Sequence, residues 1–167
     1  MSDLQKLLTE FAAGRVALIE RHDASARTVS NYDFNNTYQY VINREETHLS
    51  WLQTALSEYG AVLPPAGADA LPAPPPPTRG GKVESGAFRG ILEDDARYLG
   101  AFVEKWRAPV NAITHARHRN MLNVILGESI EHQRFFEQAA AGFEDLLGRR
   151  TGGVPRVGAV LPTRWLE

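Results

Sequence analysis

Glu45 and His48 stand three residues apart, and Glu128 is followed by Glu131 and His132 at three and four residues. On a helix these spacings share a face, so each set would present carboxylate oxygen and imidazole nitrogen together. Such groups are ligands for iron, manganese or zinc. Rotating each segment by about 100° per residue places Glu45, Asp95, Glu128 and His132 centrally on apolar stripes. His48 falls to one side of its stripe and Glu131 at the edge of its own. In the first segment the central polar residues are Arg15 and His22, while Glu10 and Glu20 point away. An unpaired carboxylate taken out of water costs several kcal/mol, so these positions demand either a metal or a cationic partner. Three carboxylates (Glu45, Asp95, Glu128) against one guanidinium (Arg15) leave two negative charges, which one divalent ion would balance. A metal-free answer also suffices. Arg15 would fork to Glu45, the histidines would protonate or hydrogen-bond, and one carboxyl would stay neutral.

Four helical segments must position these groups. Leu4, Leu7, Leu8, Phe11, Leu18 and Ile19 predict a helix over 4–27, with Asp3 as its N-cap. A second helix follows from Asp33, as cap, to Tyr59, and Gly60 stops it. Residues 61–81 hold seven of the ten prolines, including Pro74 to Pro77 in succession, which excludes a helix. This stretch is read as an extended connection between two hairpins rather than as a ligand for a proline-recognition domain. A third helix is expected over 85–106, with 107–113 around Pro109 as the second hairpin turn. The fourth runs from a Thr114 cap to about Leu147, its inner face carrying Met121, Leu122, Val124, Ile125, Phe135 and Phe136, and Gly148 closes it. Residues 151–167, rich in glycine and proline, form an irregular arm whose Val157, Val160, Leu161 and Trp165 predict docking, on its own bundle or on a second copy. If the first hairpin turns near Ser30, Arg15 and Glu45 lie at one level. If the second turns near Ala112, so do Asp95 and Glu128.

Glu45-Glu46-Thr47-His48 and Gly127-Glu128-Ser129-Ile130-Glu131-His132 in a chain of four helices resemble the ferritin-like superfamily, especially its rubrerythrin-like di-iron carboxylate bundles. The resemblance spans residues 4–147. It implies an all-α bundle of two antiparallel hairpins, residues 1–150, with the proline-rich 61–81 as crossover and 151–167 as a C-terminal arm. It further implies a one- or two-metal site, with Glu45, His48, Asp95, Glu128, Glu131 and His132 as ligands, serving an iron- or manganese-dependent oxidoreductase. The sequence departs from the family pattern at three places. Arg15 stands where the first helix should supply a glutamate, Asp95 replaces a longer glutamate, and the fourth helix lacks a strict Glu-x-x-His. A metal-free bundle with an Arg15–Glu45 core pair and a non-catalytic binding role is the second reading. The third is a bundle resembling the DinB-like metal-dependent transferases, which would need His22 or His115 to join His48 and His132. His115 and His118 are expected at a solvated helix start.

The remaining composition narrows the field. With 167 residues, 43% hydrophobic and 23% charged, the chain suits a single globular domain. A net charge of −2 gives no reason to propose nucleic acid. No apolar run approaches the ~20 residues that span a bilayer, and the N-terminus lacks a secretory layout, so the expectation is a cytoplasmic protein. The absence of cysteine removes thiolate chemistry and disulfides. No phosphate-binding glycine loop or nucleophile motif is present.

Overall fold

The computed structural model describes residues 1–78 and 85–149. The chain there is all-helical, with four long helices: α1 (Asp3–Thr28), α2 (Tyr32–Ser57), α3 (Arg89–Asn111) and α4 (Ala116–Ala140). A single 3₁₀ turn, Ser85–Phe88, leads into α3, and a one-turn helix, α5 (Leu146–Arg149), follows α4. Among the described residues no helix is long and apolar enough to cross a membrane. The arm 151–167, and the dimer contact expected of it, lie outside the described residues.

Local chemistry sets the helix ends, often one or two residues from where the sequence places them. Ser2, not Asp3, caps α1, its side chain accepting from the Gln5 amide, and Asp3 lies in the first turn. Asn31, not Asp33, caps α2 through the Phe34 amide. His115, not Thr114, caps α4, its imidazole accepting from the His118 amide. Gly60 ends α2 as expected: its φ of 67° lets the Ala61 amide turn back to the Leu56 carbonyl. The same device ends α4 at Gly142, φ 94°, with the Phe143 amide on the Gln138 carbonyl, several residues before the expected Gly148.

Pro109 was expected to break the chain into a turn, yet α3 continues through it to Asn111. A proline near the last turn removes only one intrahelical bond, and Val110 beyond it is fully buried, so packing carries the helix onward. Pro109→Ala, at an exposed site, is expected to raise stability by about 1 kcal/mol by restoring that bond. Urea unfolding of the two proteins checks it.

Each of the four long helices packs on two of the other long ones. The pairs α1–α2 and α3–α4 form hairpins, and α1 meets α3 while α2 meets α4. Tyr40 packs on Phe135 while His48 reaches Glu128, so α2 and α4 run antiparallel. Phe11 packs on Phe102 and Trp106 while Arg21 reaches Asp95, so α1 and α3 also oppose. It follows that α2 and α3 are parallel. The core is apolar at one end, around Leu8, Phe11, Leu56, Trp106 and Leu122, and polar at mid-height. One inner-face assignment fails: Val124 is 50% exposed. The true stripe of α4 runs through Ile125, Ser129, His132 and Phe136.

Candidate functional site

At the centre, α1, α2 and α4 each contribute to one network. Arg15, fully buried, donates from Nη1 to Glu45 Oε2 at 2.5 Å and from Nη2 to Ser129 Oγ at 2.6 Å. Its guanidinium lies 4.6 Å from the centroid of the Phe102 ring. His22 Nδ1 donates to the other Glu45 oxygen at 2.5 Å, and the Ser129 hydroxyl donates in turn to the Ile125 carbonyl. Burial alone would raise the Glu45 carboxyl, but His22 and Arg15 outweigh it and hold it at about 2. Burial also pulls the Arg15 guanidinium below its ordinary value, against the attraction of Glu45. Arg15 and Glu45 thus stand at one level, as the hairpin geometry predicts.

A second network joins α1, α2 and α3. Arg21 Nε donates to Asp95 Oδ1 at 2.9 Å, and the Tyr38 hydroxyl donates to Asp95 Oδ2 at 2.5 Å. Arg21 Nη1 donates onward to the Pro72 carbonyl at 2.7 Å. Burial and the neighbouring Asp95 charge push the Tyr38 hydroxyl well above its usual range, so it stays a donor.

The third lies at the seam of α2 and α4. Arg44 forks to Glu128 at 2.8 and 3.1 Å, and His48 Nε2 donates to Glu128 Oε2 at 2.6 Å. Side-chain exposures of 34% for Arg44 and 21% for Glu128 place the pair at the rim. Burial would raise the Glu128 carboxyl, but the Arg44 and His48 hydrogen bonds hold it at about 2. Burial, reinforced by the Arg15 charge, lowers the His48 imidazole. Glu131 is half-buried on α4, and its charge adds to the hold on Arg44.

His132 stands between the first and third networks. It is 1% exposed, its Nδ1 has no hydrogen-bond partner among the described residues, and its ring lies 6.4 Å from that of His48, nearly parallel. Burial brings its imidazole down to about 3, so it is neutral at physiological pH.

The sequence reading gathers Glu45, His48, Asp95, Glu128 and His132 in one pocket; the structure divides them. Asp95 belongs to Arg21 and Tyr38, Glu45 to Arg15 and His22, Glu128 to Arg44 and His48. Among the described residues no three histidine, aspartate or glutamate side chains are grouped so as to hold a metal ion. Glu128 is not central, because Ser129 occupies that position one residue, or 100°, further on. Asp95 and Glu128 therefore do not share a network. His22 is spent on Glu45, and His115 stacks on His118 at the bundle end, centroids 4.2 Å apart. His118 itself is buried rather than solvated, 3.5 Å from Glu58.

Arg21 and Arg44 are the functional residues the sequence reading missed. Each sits beside a stripe residue, His22 or Glu45, and its long side chain reaches back across the helix surface. An arginine flanking a buried acid is the signal that would have found them. With both included, three guanidiniums face three carboxylates and the charge deficit computed from Arg15 alone disappears. The sequence matches no protein-family model, and a search of curated proteins returns no significant relative.

Proposed function

We propose that the protein is a ferritin-like bundle in which arginines take the role that metal has in the resembling family, leaving a rigid scaffold with a binding rather than a redox function. The observation that carries this reading is the pairing of Glu45, Asp95 and Glu128 each with its own guanidinium. A buried acid so paired is satisfied in charge and in hydrogen bonds. Iron, manganese or zinc does not fit the arrangement, because the oxygens it would take already accept from arginine, histidine or tyrosine. Arg15 would also stand beside the cation and repel it. Ferritin-like topology is supported by the parallel course of α2 and α3, which needs a crossover the length of the bundle. The proline-rich segment supplies it, held to α1 where the Gly67 amide donates to Glu20 at 2.9 Å and Arg21 donates to Pro72.

Protein produced in media supplemented with iron, manganese or zinc is expected to carry far less than one ion per chain by elemental analysis. Its melting temperature should be the same with and without a strong chelator, since a ligand that does not bind the native state cannot stabilise it. One ion retained per chain, with a melting point that drops on chelation, would restore the oxidoreductase reading and sink this one.

A further inference from the structure

The two seams between the hairpins close differently. Between α2 and α4, Arg44, Glu128 and His48 bridge the gap. Between α1 and α3, Arg21 bridges to Asp95 and Phe11 packs on Phe102 and Trp106, but small residues leave a groove on the outer side of these contacts. Gly14 and Ala17 face Ala101 across a groove of about 520 Å³, floored by Leu18 and Phe102. A Cβ on Gly14 would stand 3.1 Å from the Phe102 ring, close enough that the ring would have to shift. Residues 68–71 of the proline-rich segment form the roof. That roof is fixed on both sides, by the Gly67 amide on Glu20 and by Arg21 on the Pro72 carbonyl. The groove is thus formed before anything enters it, and its volume suits a small organic molecule.

Two opposite charges line this apolar space: Lys105 from α3 and Asp69 from the roof. Among the described residues neither has an ion-pair partner within 4.0 Å, so they do not neutralise each other. Lys105 Nζ is 5.1 Å from the Trp106 ring centroid. An apolar body carrying both an ammonium and a carboxylate would satisfy both charges and cover the floor. A plain hydrocarbon would leave both charges unused. A simple anion or amine would leave one.

We propose that the groove between α1 and α3 binds a small zwitterion with an apolar body, of the class of α-amino acids with large side chains and their short peptides. Its carboxylate would lie on Lys105, its ammonium on Asp69 and its side chain against Leu18 and Phe102. Lys105 and Asp69 belong to none of the buried arginine networks, so binding can fail while those networks hold.

Calorimetric titration of the full chain with phenylalanine, phenylalanyl-phenylalanine, phenethylamine and 3-phenylpropionate tests it. Saturable binding of phenylalanine or its dipeptide is expected, at least about tenfold tighter than either analogue, since each lost charge pair in a partly enclosed site is worth a factor of that order. The tighter of the two zwitterions tells a free amino acid from a peptide. Lys105→Met should abolish the preference for phenylalanine over phenethylamine. Asp69→Asn should abolish that over 3-phenylpropionate. Both residues are exposed, so both variants should melt as the parent does. Absence of saturable binding by either zwitterion overturns the proposal, as does a preference that survives both substitutions or 3-phenylpropionate binding as tightly as phenylalanine.

Discussion

Arg15→Ala is expected to destabilise the bundle by about 3–5 kcal/mol, the usual loss when one partner of a buried ion pair is removed. The variant leaves the fully buried Glu45 with His22 as its remaining hydrogen-bond partner, and takes the donor from Ser129. The Arg15→Met, Glu45→Leu double variant should recover most of that loss, because it removes both charges and keeps the volume. Denaturant unfolding of Arg15→Met, Glu45→Leu and the double variant measures the coupling directly. If Arg15→Ala costs less than about 1 kcal/mol, the value of an exposed pair, the network does not hold the fold. The proposed function would then lose its basis.

Acid should unfold this protein early, and His132 should account for much of the loss. Its native imidazole does not take a proton until about pH 3, whereas the unfolded one does so near its ordinary value of 6.5. Between those limits the unfolded chain binds one proton more, so stability falls by about 1.4 kcal/mol for each unit of acidification. Over the whole window the loss is on the order of 5 kcal/mol. Glu45 acts in the same direction lower down. Its native pKa of about 2 lies below the ordinary 4.5, so its contribution is complete above pH 4.5 and vanishes as pH approaches 2. Urea titrations of the parent and His132→Phe between pH 7 and 4.5 separate the two. The variant should lose about one proton's worth of slope there, because Glu45 has not begun to act. An unchanged slope would mean that His132 titrates normally and is not held dry.

How far the sequence leads depends on which residues are asked. Four helices, two hairpins and a polar centre follow from the apolar periodicity, and the level pairing of Arg15 with Glu45 follows from counting residues to the Ser30 turn. Both survive in the structure because they rest on spacing alone. Helix ends are less legible. Ser2 competes with Asp3, and Asn31 with Asp33, for the same cap, and only the backbone conformation decides. Pro109 reads as a breaker, but the burial of Val110 next to it overrides that local preference. The site is legible in its acids and not in its bases. Glu45 and Asp95 sit where the stripes place them, whereas Arg21 and Arg44 enter from outside the stripes on flexible stems. The 100° error at Glu128 has another cause: Ser129 is small and polar, so nothing in composition marks it as central.

The diagonal contacts also bear on how the two hairpins choose their alignment. Leucine and phenylalanine layers repeat every turn, so sliding one hairpin along the other by about 5.4 Å would still bury hydrocarbon on hydrocarbon. The polar contacts do not repeat in this way. Ser129 meets Arg15 across one diagonal, and Asp95 meets Tyr38 across the other. A slip of a single turn would strand both sets at once, without returning them to water. The mid-height charges therefore act as a key in a lock of otherwise interchangeable notches, and this alignment is the only one in which the key turns.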